Sequence, residues 1–126
     1  EEKAMLRQVR EFIRRKGESA FTDWDRPAND TDKHAPGKPD RAGYRRGCHD
    51  AEGNDAQEYF LFNEAWRGVV CKGHDAAAVG RLLVAKGYCR KGSEPDRPWL
   101  VRESLPTEGR ARVVHILPAL FDSDDD

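Results

Sequence analysis

Residues 97–117 read RPWLVRESLPTEGRARVVHIL. Two apolar-rich runs flank a Pro-Thr-Glu-Gly turn, the pattern of a β-hairpin. Side chains two apart on a strand share a face, so Arg110 and Arg112 point the same way. Arg102, on the other arm, is expected close to them across the hairpin. His115 alternates with Val114 and Ile116 and reads as a sheet residue rather than a catalytic base. What surrounds this hairpin decides whether it is the wing of a nucleic-acid-binding domain or an ordinary edge with a solvated face.

Immediately upstream stand two helical segments. Asn63 is placed to cap the first, with Glu64 in its first turn and Ala65, Trp66, Val69 and Val70 on one side. Lys72-Gly-His74 breaks it, and Asp75 caps the second, whose stripe is Ala78, Val79, Leu82 and Leu83 and whose end is Gly87. The small residues Ala76, Ala77 and Gly80 let a neighbour approach this helix closely. Two helices joined by a short glycine-containing turn make a helix-turn-helix arrangement. A hairpin following it completes the core pattern of a winged helix.

Further upstream, Met5, Leu6, Val9, Phe12 and Ile13 form one stripe of an amphipathic helix that opens on glutamates and closes on Arg14, Arg15 and Lys16, with Gly17 as its stop. Arg7, Arg10 and Arg14 form a separate ridge, expected to be a solvated face. A short strand around Phe21 and Trp24 follows. Residues 26–40, with three prolines, read as a long mobile loop. A second hairpin runs from Tyr44 through the Ala51-Glu-Gly-Asn-Asp55 turn to Tyr59–Phe62. The expectation is one α+β domain over residues 1–121, winged-helix-like, with three main helices and two β-hairpins, and an acidic tail at 122–126.

The chain has 126 residues, enough for one modest core, and begins at Glu1 rather than Met, which reads as a piece of a longer protein or a processed chain. Its net charge of −1 conceals a segregation: residues 81–115 hold eight basic and four acidic side chains, while residues 122–126 hold four aspartates. The tail is expected to compete for the basic surface. Three cysteines without framework spacing suggest free thiols and a cytoplasmic setting, and no run is long enough to span a bilayer.

Chemistry-bearing motifs are sparse. Cys71-Lys-Gly-His74 is a single close pair, and Cys48, His49 and Cys89 do not complete a zinc spacing. No nucleophile motif or phosphate-binding glycine loop is present, so no metal, cofactor or enzymatic activity is expected. Phosphate binding needs several Lys or Arg on one face. Arg102, Arg110 and Arg112 are the first candidates, with Arg45, Arg46, Arg90 and Lys91 as helpers and Tyr44 as a residue that could stack on bases. The helix after Asp75 offers only Arg81 and Lys86 among alanines and aliphatics, poor equipment for reading base edges.

Taken together, Arg41-Ala-Gly-Tyr-Arg-Arg46, then Ala65-Trp-Arg67, Val70, Cys71, Gly73 and Asp75, then Val79, Leu82, Lys86 and Gly87, and finally Arg102, Leu105, Pro106, Gly109, Arg110, Arg112 and Val113 form one recognisable series. The series resembles the C-terminal region of the bacterial helicase- or primase-like proteins that carry domain of unknown function 927, found in phages and integrative elements. Phe62-Asn63 and Thr107-Glu108 depart from that family's pattern. The resemblance implies a DNA-binding accessory module whose partners are nucleic acid and the ATPase region of the same protein. The alternative is a protein-interaction module that docks that ATPase core or another partner.

Overall fold

Five strands form one sheet in the order β1-β2-β3-β5-β4, with helices packed on one of its faces. The computed structural model describes residues 1–25 and 41–122. The 26–40 loop and the last four residues of the acidic tail lie outside the described residues. Helix α1 spans Glu2–Lys16, capped by the Glu1 side chain, which accepts from the backbone of Lys3 and Ala4. Strands β1 (Phe21–Asp23), β2 (Gly43–His49) and β3 (Asp55–Phe62) follow. Helix α2 (Asn63–Ala65) runs directly into a π-helical turn over Trp66–Val70, and α3 spans Ala76–Lys86. Strands β4 (Val101–Leu105) and β5 (Gly109–Ile116) form the last hairpin, and a short α4 (Ala119–Asp122) ends the described chain.

The α+β class holds, with a fourth helix and one merged sheet in place of two separate hairpins. β3 joins them by pairing antiparallel to both β2 and β5, while the short β1 pairs parallel with β2. Beside the last part of β5, residues 88–90 continue the edge that β4 leaves, through Arg90 N–H to His115 O and Leu117 N–H to Tyr88 O, both 2.9 Å.

Alternation sorts the side chains onto two faces. On the helical face Phe21, Leu61, Val114 and Ile116 meet Leu6, Val9 and Ile13 of α1, Trp66 and Val70 of the π turn, and Val79 and Leu83 of α3. The opposite face carries a second, smaller core of Tyr44, Phe60, Leu105 and Val113, flanked by Trp24 and Phe62. The strand near Phe21 therefore splits its aromatics: Phe21 faces the helices, Trp24 the other side.

Several local expectations are corrected. Asn63 is the first residue of α2 rather than its cap, and no side chain caps that helix. Val69 does not share Trp66's buried side. It is 54% exposed, because the Cys71 N–H bonds back to Trp66 O, an i→i−5 closure that widens the turn and rotates Val69 outward. Gly17 is right-handed (φ −58°) rather than a left-handed stop, and the chain keeps turning to Ala20. Arg10 is not on a solvated ridge with Arg7 and Arg14. Its side chain is 1% exposed, and its Nε donates to Leu120 O at 2.8 Å, tying α1 to α4.

Candidate nucleic-acid interface

The register places the three principal arginines together. Arg102 stands directly opposite Arg112, and Arg110 opposite Ser104, so all three project from one face of the β4–β5 hairpin. That face is the one on which Val114 and Ile116 meet the helices, but the helices cover only the second half of β5. Along β5 the side chains on this face pass from exposed (Arg110, Arg112) to buried (Val114, Ile116). The tip half of the hairpin thus extends past the helices and presents the arginines to solvent, while Leu105 stays buried on the far face. Among the described residues neither Arg102 nor Arg110 has an ion-pair partner, while Arg112 Nη2 lies 3.2 Å from Glu94 Oε1.

The hairpin tip is held from the other side of the sheet. Tyr44 donates its hydroxyl to Pro106 O at 2.6 Å, and Arg41 Nη2 pairs with Glu108 at 2.9 Å. The Arg41 guanidinium also lies over the Tyr44 ring, 4.5 Å from its centroid. Glu108 N–H reaches back to Leu105 O, and Thr107 sits at φ 63°, a left-handed conformation that a β-branched residue adopts only when its surroundings force it. The two ties, from Tyr44 on β2 and from Arg41 just before it, supply that force and fix the direction of the hairpin. Tyr44→Phe removes one of them, and the expected loss is about 1 kcal/mol, read from the urea midpoint.

The remaining sequence candidates are dispersed. Tyr44 is not a stacking residue: it is 1% exposed, with its ring between Trp24, Phe62 and Arg41. Arg46 is on the far face, where its Nε donates to Glu58 at 2.8 Å and its guanidinium covers Trp24 and Phe60. Arg45 shares the helical face but lies two strands away from β5, in an open cleft of about 880 Å³ with Arg14, Arg15 and the carboxylates of Glu18, Asp23 and Asp122. Asp122, the first residue of the tail, therefore stands beside α1 rather than at the hairpin tip. Arg90 and Lys91 are exposed in the segment running along β5, and this segment also delivers Glu94 to Arg112.

Sequence reading passed over a buried charged group on the far face. Glu58 bridges Arg46 and His115, with His115 Nε2 2.5 Å from Glu58 Oε1. His115 stacks on Phe60, and its Nδ1 is buried without a protein partner among the described residues. Burial pushes the His115 imidazole below its ordinary value, against the upward pull of the Glu58 carboxylate. For Glu58, burial pushes upward, but the hydrogen bonds from Arg46 and His115 outweigh it and its carboxyl ends below the ordinary range. The local signal was in β3: Tyr59-Phe60-Leu61-Phe62 is apolar on both faces, the mark of a strand covered on both sides.

Cys71 and Cys89 are buried thiols pushed up to about 12 by desolvation, and no group of three or more metal-ligating side chains occurs among the described residues. No helix among the described residues is long and apolar enough to cross a membrane. No family model, curated protein or solved structure matches this chain.

Proposed function

We propose that this domain is a winged-helix variant that binds DNA through the phosphate backbone, using the Arg102–Arg110–Arg112 face of the β4–β5 hairpin as its wing. The observation that carries the reading is the cross-strand pair Arg102–Arg112. Like charges directly opposite on a sheet are destabilising, and Arg110 adds a third on the same face. A surface that gathers three such charges with only Arg112 paired among the described residues, to Glu94, on a hairpin fixed at its tip, suits an anionic ligand better than a merely solvated edge.

The chain order supports the fold half of the reading. α1, β3, α2, α3, β4 and β5, with strand order β3-β5-β4, follow the winged-helix succession, and β1 and β2 extend the sheet beyond it. α3 contributes little to base reading, because Arg81 is occupied with Asp96 O and the Trp99 ring. Service as an accessory module of a helicase- or primase-like mobile-element protein follows from the sequence resemblance alone. The protein-docking alternative has less behind it: Val69 is the one large apolar side chain exposed among the described residues, far short of a docking patch.

Fluorescence anisotropy with a labelled mixed-sequence duplex tests the proposal. Three phosphate contacts give a slope of log K on log salt near −2.7, so affinity should fall about 40-fold between 50 and 200 mM salt. Arg110→Glu/Arg112→Glu should abolish binding, and Glu94→Gln, which releases Arg112, should tighten it severalfold. No binding at about 50 mM salt, where backbone contact is strongest, or full binding by the double variant, would sink the proposal.

A further inference from the structure

Resting on that reading, we infer that the ligand class is duplex rather than single-stranded nucleic acid, because the arginine face of the β4–β5 hairpin carries no exposed aromatic on which bases can stack. The sequence holds three tryptophans, three tyrosines and five phenylalanines, and every one lies among the described residues. None is exposed. Trp66, Trp99, Tyr44, Phe21 and Phe60 are buried outright. Of the half-buried ones, Trp24 is covered by Arg46 and Phe60, Phe62 by Arg41 and Tyr88 by Arg10. Phe12, Tyr59 and Phe121 touch one another or Phe21 edge-on, and Tyr59 and Phe121 line the Arg45 cleft, two strands away from the hairpin. The aromatics nearest the tip, Tyr44 and Phe62, belong to the face opposite the arginines.

Magnitudes decide the preference. Proteins that hold single strands gain a factor of roughly 5 to 150 for each base stacked on an aromatic. The arginine face of the hairpin collects none of that. What remains is charge, and charge favours the duplex, whose axial charge density is twice that of one strand. For three phosphate contacts the counterion slopes are about −2.7 for duplex and −2.1 for single strand, and with equal affinities at 1 M salt the difference amounts to about a sixfold duplex preference at 50 mM. With α3 unable to read base edges, the preference should be insensitive to sequence.

The test is anisotropy at about 50 mM salt with three probes carrying equal numbers of phosphates: a mixed duplex, an A·T-only duplex and a thymidine homopolymer strand. The expected result is that both duplexes bind alike, about sixfold more tightly than the homopolymer, with a steeper salt slope. Equal or tighter binding of the homopolymer, lost in Arg110→Glu/Arg112→Glu, overturns the duplex inference and leaves the basic-face reading standing. Absence of binding to all three probes overturns both.

Discussion

Glu58→Ala should lower the stability of the fold by about 3 kcal/mol, measured as a shift in the urea midpoint at neutral pH. Glu58 is 8% exposed and satisfies two partners at once. Removing one member of a buried charged network costs about 3–5 kcal/mol when the other is stranded. The lower end applies, because Arg46 keeps about a third of its side chain in solvent and can turn outward. His115 cannot: it is 2% exposed and would lose the only hydrogen-bond partner its ring has among the described residues. Glu58→Gln, which retains an acceptor, should cost about half as much. An unchanged midpoint in Glu58→Ala would show that the far face does not depend on this network.

The same group sets the response to acid. Native His115 titrates below its ordinary value of 6.5, so below that pH the unfolded chain takes up a proton that the native state refuses. Stability therefore falls as the pH drops from 6.5 toward the native value. Glu58 titrates below 4.5 in the native state, so its contribution is present above 4.5 and is lost as pH falls through the native value. Both contributions have the same sign. His115→Gln should flatten the upper part of the stability profile and Glu58→Gln the lower part.

The far face also shows where sequence reading ends. α1 was legible from its apolar stripe and charged ends and α3 from its stripe and both caps, as were the turns of both hairpins, where Asp50 and Gly53 close one and Pro106 and Gly109 the other. The shared face of Arg102, Arg110 and Arg112 was legible from strand periodicity and a short turn. The merging of the hairpins was not, because the Phe60–His115 register joins residues 55 positions apart and no local preference encodes it. Until that pairing is made, Glu58 looks like one more charged residue on an edge and Tyr44 like an open aromatic. Val69 was misplaced for a related reason: a π turn shifts the helical phase, and only the packing around Trp66 demands it.

Gly80 provides the sharpest case of a local rule overridden by packing. The small-residue patch on α3 does admit a close neighbour, and that neighbour is Trp99, from the loop leading into β4 rather than from another helix. In an exposed helix, replacing glycine by alanine gains up to about 1 kcal/mol. At position 80 an added Cβ would fall 2.3 Å from Trp99 Cγ and 2.6 Å from Cδ2. Trp99 is 7% exposed and cannot swing away. Overpacking of this kind costs about 1–3 kcal/mol and outweighs the propensity gain, so Gly80→Val, with two methyls more, should lose about 3 kcal/mol. In a Trp99→Leu background, where the indole is gone, the same substitution should cost at least about 1 kcal/mol less, a coupling that a double-mutant cycle in urea would measure. Additive losses would mean that Trp99 does not sit on Gly80. The loop that Trp99 anchors also carries Glu94 to Arg112 and Asp96 to Arg81. Displacing it should weaken the fold while freeing Arg112. If the hairpin is the contact surface, the folded fraction of Gly80→Val should therefore bind duplex at least as tightly as the parent chain.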